Sequence, residues 1–424
     1  MRICYVLLSP TFGMHQYTAD LANRMVQCGH DVYLVTTAHY PAHRYLPAIT
    51  VHTPVDTRSS GFSSDVLRPA ALRRTAQVIQ DLRPDVVHIT GPHPWNIPLL
   101  RTMRRAGIPV VHTLHDLDPH EGMLYDSLLH VWNRGVLRLA GHILVHGVRY
   151  RSQLLDMGIP AERLTCTPLL HLFLGHTWLG EAEHQAQAVR YELSVLFFGR
   201  LERYKGVDHL LTAWAMMNGD NGHNTRLILA GPGNLDRLWP GPLPPRVEVH
   251  NHLIEDGQAL ELFRRCGLLA LPYMGATQSA LIPAAYFFRK PVIAAPSGAL
   301  DEYVVDGETG WVVEPEHPPS LARCLSATLS DVDRLARMGA AGRAWYDARR
   351  DAEEQELRRM YENMAGDVSS QYLGAKSGAD FPVCRLDRLE SLPHVPSPQL
   401  IEKIPGDAGQ EVGEDEFKTS RNDI

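Results

Sequence analysis

Short β-favouring apolar runs alternate with amphipathic helical stretches along this chain, and the alternation is played through twice. In the first series the strand-like runs are residues 3–8, 30–36, 85–90, 109–114, 142–146 and 163–167. Helical patterns fall at 16–28, 70–82, 96–106, 124–139 and 148–157. Periodicity is then lost from about residue 169 to residue 190. The second series has strand-like runs at 193–198, 225–230, 247–250, 267–271, 291–295 and 311–313, with helices at 207–215, 256–266 and 280–289. Strands separated by helix-length crossovers pair in parallel, and such sheets carry helices on both faces. Two series predict an α/β protein of two doubly wound, Rossmann-like domains facing across a cleft. The expected organisation is a first domain over 1–175, a linker over 176–190 and a second domain over 191–340. Helices over 341–366 return to the first domain, and an acidic Gly/Pro/Ser-rich tail over 367–424 is predicted to be disordered.

Composition narrows the partners. The chain has 41 Lys and Arg against 48 Asp and Glu, a net charge of −7, which argues against a broad nucleic-acid surface. Its six cysteines (4, 28, 166, 266, 324, 384) form no Cys-x-x-Cys pair, so reduced thiols in a cytoplasmic compartment are expected. The first apolar run breaks at Ser9-Pro10, too soon for a signal peptide. No run approaches the ~20 apolar residues of a membrane span. The 22 histidines show no metal-ligand spacing, so no metal and no cofactor are expected.

Open parallel sheets bind ligands beyond the carboxyl ends of their strands, so candidate site residues are sought there. The second series opens with strand 193–198, the glycine turn Gly199, and then Arg200 and Lys205 ahead of a helix. Gly199 lets the chain bend where the strand ends. A guanidinium fork and an ammonium point charge hung from one turn suit a diphosphate. Taken alone, such a turn is more readily a solvated basic surface, and it is the surrounding chain that favours a site. In the first series, Gly13 lies in a predicted loop over 9–15, with no Gly-x-Gly-x-x-Gly, which disfavours a nicotinamide dinucleotide site. His115 follows the strand at 109–114. Its near-neutral titration suits proton donation or relay, and Asp116 would orient it or bind a hydroxyl. Residues 50–70 read as polar and turn-rich around Ser59-Ser60-Gly61.

Several ordered pieces carry a resemblance over residues 1–365. They are Phe198-Gly199-Arg200-Leu201 with Lys205-Gly206, Leu229-Ala230-Gly231-Pro232-Gly233, Leu271-Pro272-Tyr273, Lys290-Pro291-Val292-Ile293, and Asp306-Gly307-Glu308-Thr309-Gly310. Together the chain resembles a retaining glycosyltransferase of family 4, the glycosyl transferases group 1 type, with the two-domain GT-B fold. The resemblance implies a metal-independent, retaining, hexosyltransferase-type enzyme that uses a UDP- or GDP-sugar and a carbohydrate or lipid-linked acceptor. It implies that Arg200 and Lys205 hold the donor diphosphate and that the Gly13 loop closes over the donor. The backbone at Ser279 and Ala280 would cap the phosphate, and Leu253 would lie near the nucleobase. His115 and Asp116 would stand on the acceptor side. A lipid acceptor would bring peripheral membrane contact, with Arg101, Arg104 and Arg105 on one helix face. The family's Glu-x7-Glu positions fall on Ala276 and Ala284, leaving Thr277, Gln278 and Ser279 as the polar neighbours of the sugar. These alanines motivate a rival expectation, a catalytically inactive nucleotide-sugar-binding or scaffold protein of the same fold.

Overall fold

The computed structural model describes residues 1–58, 67–117, 124–187, 191–217 and 225–374; the side chains of 124–130 and 367–374 are not included. Predictions at Ser59-Ser60-Gly61, at 188–190 and over most of the tail lie outside the described residues. The first sheet is built from β1 (Arg2–Leu7), β2 (Asp31–Thr37), β3 (Thr50–Val55), β4 (Val86–Ile89), β5 (Val110–Thr113), β6 (His142–Val145) and β7 (Leu164–Cys166). The helices between them are α1 (Phe12–Gln27), α2 (Pro69–Asp81), α3 (Asn96–Arg105), α4 (Leu124–Leu139) and α5 (Val148–Asp156). After α6 (Leu179–Gln187) come β8 (Ser194–Phe198), α7 (Val207–Met216), β9 (Arg226–Ala230), α8 (Leu235–Leu238), β10 (Val247–His250) and α9 (Asp256–Arg265). The second lobe closes with β11 (Leu268–Leu271), α10 (Leu281–Phe287), β12 (Val292–Ala294), β13 (Gly310–Val312), α11 (Pro318–Leu329) and α12 (Val332–Gly374).

Both sheets are wholly parallel, in the orders β3-β2-β1-β4-β5-β6-β7 and β10-β9-β8-β11-β12-β13. Each chain path starts in the middle, winds to one edge, returns, and winds to the other. The switch points lie between β1 and β4 and between β8 and β11, and parallel sheets place their ligand crevices there. Central strands such as Val195-Leu196-Phe197 and Leu268-Leu269-Ala270-Leu271 are fully buried because helices cover both faces.

Three expectations change. The turn-rich reading of 50–70 missed the edge strand β3, in which only Val55 is buried, so its apolar signal is weak. The linker carries helix α6, which buries only Ala182 and Ala186 and so shows little periodicity. The predicted loop over 9–15 is short, because α1 starts at Phe12 and takes Gly13 into its first turn.

The last helix straps the two lobes together. Near its start, Arg343 donates to the Phe287 carbonyl at 3.2 Å and Tyr346 packs on the Phe287 ring. Further along, Arg350 pairs with Asp20 of α1, and Glu353 accepts from Arg350 and Arg24 at 3.0 Å each. Burial alone would raise the Asp20 carboxyl, but Arg350 and Arg24 outweigh it and hold it at about 2. Beyond these, the Tyr361 hydroxyl meets Tyr5 at 3.0 Å and His88 Nδ1 at 2.6 Å beneath the first sheet. The five described cysteines are unpaired. No described helix is long and apolar enough to cross a membrane.

Candidate active site

At the exit of β8 the chain turns through Gly199, whose φ of +122° is strained for any other residue. The turn ends at Gly206 (φ +65°), where a β-carbon would sit 2.0 Å from the Pro272 carbonyl oxygen. That close approach seats the β8 turn on the β11 exit. Two further bonds fix it there: Met274 and Gly275 donate their amides to the Tyr204 carbonyl at 2.8 and 3.3 Å.

The short helical turn at 203–205 folds Lys205 back over Gly199, so that Nζ lies 3.1 Å from where a Gly199 side chain would begin. Nζ donates to the Tyr273 hydroxyl at 3.1 Å and sits 4.7 Å from the Tyr273 ring centroid. Burial by itself would lower the ammonium's pKa. Tyr273 and Tyr204 outweigh burial and raise it, while Arg200 opposes them. Lys205 is half-buried, and no carboxylate among the described residues forms an ion pair with it. Arg200 differs. Its side chain is 64% exposed, pairs with Glu202 at 2.8 Å and donates to the Tyr204 hydroxyl at 3.3 Å. Of the two predicted cations, Lys205 thus has no anionic partner among the described residues, while Arg200 is neutralised and solvated; Arg203, also in the turn, is exposed.

The segment from β11 to α10 crosses to the other lobe. Thr277 Oγ1 donates to Asp116 Oδ1 at 2.7 Å, and the Gln278 amide lies 3.3 Å from the His115 carbonyl and 3.5 Å from His115 Nδ1. The Tyr150 hydroxyl donates to the Thr277 carbonyl at 3.2 Å. Ala276 is half-buried, with its amide on Ser297 Oγ at 2.8 Å. Ala284 is fully buried, so a carboxylate there would have to be paired to be tolerated. Ser279 and Ala280 open α10, where Ser279 Oγ accepts the Leu281 amide at 3.4 Å.

On the first lobe, His115 donates from Nε2 to the Thr90 carbonyl at 2.9 Å. Burial pushes its pKa down, against the Thr90 bond and the Asp116 charge. The residues placed together are thus His115 and Asp116 with Thr277 and Gln278, and Gly199 with Lys205. Leu253, just past β10, is 64% exposed, unusual for a large apolar side chain. It lies near an open hollow of about 320 Å³ lined by Gly233, Asn234, Leu235, Asp236 and Asn251. Gly13 is exposed on α1, and nothing lies within 4 Å of the place a β-carbon would take. Its expected need for a glycine loop is not met by the structure.

Sequence reasoning missed Tyr273, which sits in a quoted motif but shows its role only through the fold. Nor did it point to Glu302. The Glu302 carboxylate reaches the other lobe and accepts the Val148 and Arg149 amides at 2.7 and 2.9 Å, capping the start of α5. Among the described residues, no three His, Cys, Asp or Glu side chains converge to hold a metal ion.

Two family models together match most of the chain. Residues 12–169 match the glycosyl transferase 4-like domain, and residues 192–331 match glycosyl transferases group 1. The D-inositol 3-phosphate glycosyltransferase of Nocardia farcinica is 26% identical over 381 residues, 78% of this chain and 82% of the relative. The alpha-D-kanosaminyltransferase of Streptomyces kanamyceticus is 25% identical over 256 residues, 55% of this chain and 65% of the relative. Among solved structures, HepE of Anabaena in complex with UDP aligns with a TM-score of 0.63 at 19% identity, over 87% of this chain and all of its own. Sucrose-phosphate synthase of Thermosynechococcus elongatus aligns at 0.65 and 18%, over 89% of this chain and all of its own. With both halves matched in order and each built on a wholly parallel sheet, the chain belongs to the group 1 glycosyltransferases of GT-B fold.

Proposed function

We propose that the protein moves a sugar from a UDP- or GDP-sugar to an acceptor hydroxyl, with retention at the anomeric carbon and without a divalent metal. The observation that carries this is Lys205: a half-buried ammonium at a strand's carboxyl end with no anionic partner among the described residues. Taking a charge out of water is unfavourable unless it is paired, so the site is short of one anion. A departing nucleoside diphosphate supplies it. In the reaction the bond from the anomeric carbon to the phosphate oxygen breaks, and the acceptor oxygen bonds that carbon from the same face. The acceptor proton passes to the leaving phosphate. Lys205 stabilises the charge growing there, and Arg200 joins it by exchanging Glu202 for phosphate. The amides of Ser279 and Ala280 face the phosphate, and Leu253 packs against the base. Thr277 and Gln278 lie beside the sugar, with His115 and Asp116 on the acceptor side. Relatives named for inositol phosphate glycosyl transfer, and HepE structures with UDP-glucose, support a nucleotide-sugar donor.

Nucleotide sugars incubated with the protein, with and without EDTA, should release nucleoside diphosphate. Absence of release from every UDP- and GDP-sugar, across acceptors, would leave the second reading. That reading is an inactive nucleotide-sugar-binding protein, and it is favoured by Ala276 and the buried Ala284 in place of the family's two glutamates.

A further inference from the structure

Three imidazoles surround one phenol at the carboxyl end of the first sheet. Tyr17 makes edge contacts with His115, His146 and His171, at centroid distances of 5.0, 5.1 and 5.7 Å. The rings of His115 and His146 lie 5.5 Å apart. Each of these two binds a backbone carbonyl through one ring nitrogen: His115 Nε2 to Thr90 at 2.9 Å and His146 Nδ1 to Thr167 at 3.0 Å. A carbonyl only accepts, so that nitrogen carries the proton, and in a neutral ring the other nitrogen offers a lone pair. Burial and the nearby imidazoles push His146 well below the ordinary histidine range, so the ring is neutral at pH 7.

His146 is 1% exposed, and among the described residues its Nε2 has no hydrogen-bond partner. Among the described residues, the Nδ1 of His115 has only the Gln278 amide, at 3.5 Å. Buried polar atoms are nearly always paired, and an unpaired one costs about 1–3 kcal/mol. A purely structural histidine at 146 needs Nδ1 alone. The residue stands where lobe meets lobe, since a β-carbon on its neighbour Gly147 would lie 2.9 Å from Ala299 Cβ. A neutral imidazole lone pair repels phosphate and accepts only from a donor hydrogen. A hydroxyl of a sugar or polyol is such a donor.

Resting on the transferase reading above, we propose that His146 is a substrate-positioning residue whose Nε2 accepts a hydrogen bond from a ring hydroxyl of a bound sugar or polyol, beside Nδ1 of His115. The hydroxyl belongs either to the transferred sugar or to the acceptor.

Two variants separate this role from a structural one. His146→Asn places an amide N–H where Nδ1 stood, keeping the Thr167 bond and leaving nothing at the Nε2 position. His146→Gln carries an oxygen to the Nε2 position and gives up the Thr167 bond. Calorimetric titration would use UDP or GDP, whichever raises the melting temperature, then the matching UDP-glucose or GDP-mannose, and then myo-inositol added with the nucleotide. The nucleotide should bind wild type and both variants alike. Asn should weaken the sugar nucleotide or the inositol about three- to tenfold, while Gln stays within about threefold of wild type. The arm that weakens identifies the source of the hydroxyl. In [15N]imidazole spectra, the same ligand should move the wild-type His146 Nε2 resonance. The proposal is overturned if Asn matches wild type in both arms, if Gln is the weaker variant, or if the nucleotide binds while neither hydroxyl ligand moves the Nε2 resonance. If neither nucleotide binds wild type, the transferase reading itself fails, a distinct result.

Discussion

The two lobes wind their sheets in the same sense around the same kind of switch point, yet they present opposite chemistry to the crevice. Beyond β8 stands a glycine turn bearing Arg200, paired with Glu202, and the half-buried Lys205, which has no carboxylate partner among the described residues. Beyond β5 and β6 stand two imidazoles, His115 and His146, each tied to a carbonyl and packed on Tyr17 of α1, with one carboxylate, Asp116, already bound by Thr277. The topology supplies the place, and a few side chains at strand ends supply the specificity. A lobe with unneutralised charge suits a fixed anion common to many substrates, whereas a lobe of neutral acceptors suits hydroxyls, which differ between them.

The comparison is broken most sharply at Lys205. Lys205→Ala should lower nucleoside diphosphate release about 10²–10³-fold in steady-state assays. A rate near wild type would mean that the charged lobe does not act on the leaving group. Arg200→Ala should cost less, roughly ten- to a hundredfold, because the exposed guanidinium must first leave Glu202. Equal losses at both positions would show that the resting Arg200–Glu202 pair is irrelevant to the bound state.

The neutral lobe should show itself in acid. His93, buried beside Trp95, and His171 are held by burial at about 4, and His112 at about 3. Between pH 6.5 and those values the unfolded chain binds protons that the folded chain refuses, so stability is full above pH 6.5 and falls as pH drops through that window. The slope approaches about 1.4 kcal/mol per histidine per pH unit. Chemical denaturation at pH 7 and pH 5 measures it, and equal stabilities at the two values would contradict the buried neutral rings. Between the lobes, Glu302→Ala removes the cap on α5 and should cost about 0.5–2 kcal/mol of stability, read as a lower urea midpoint. The smallest effect is expected at Gly13→Ala, which fills open space in a helix. It should leave turnover unchanged and stabilise by at most about 1 kcal/mol. Lost turnover there would restore the glycine loop expected from the resemblance.

Much of this was legible before folding. Both parallel sheets follow from continuous apolar runs such as Ser194–Phe198 and Leu268–Leu271, because strands covered on both faces need no polar alternation. The pair Arg200 and Lys205 was legible because a glycine turn between strand and helix is a local feature. The edge strand β3 and helix α6 were hidden for the converse reason: each buries only part of one face, so neither leaves a strong period. His146 ends its strand just as His115 does, and its position was readable, but its unpaired nitrogen was not.

The sequence by itself determined the double α/β plan and the turn that carries Arg200 and Lys205, since these depend on residues near one another in the chain. Only the tertiary structure decided which cation lacks a counterion and which alanine is sealed in the core. It also decided that Glu302 caps a helix 154 residues away and that Tyr273 holds Lys205. Pairing and burial depend on neighbours brought together from distant parts of the chain, and local sequence does not encode that distance.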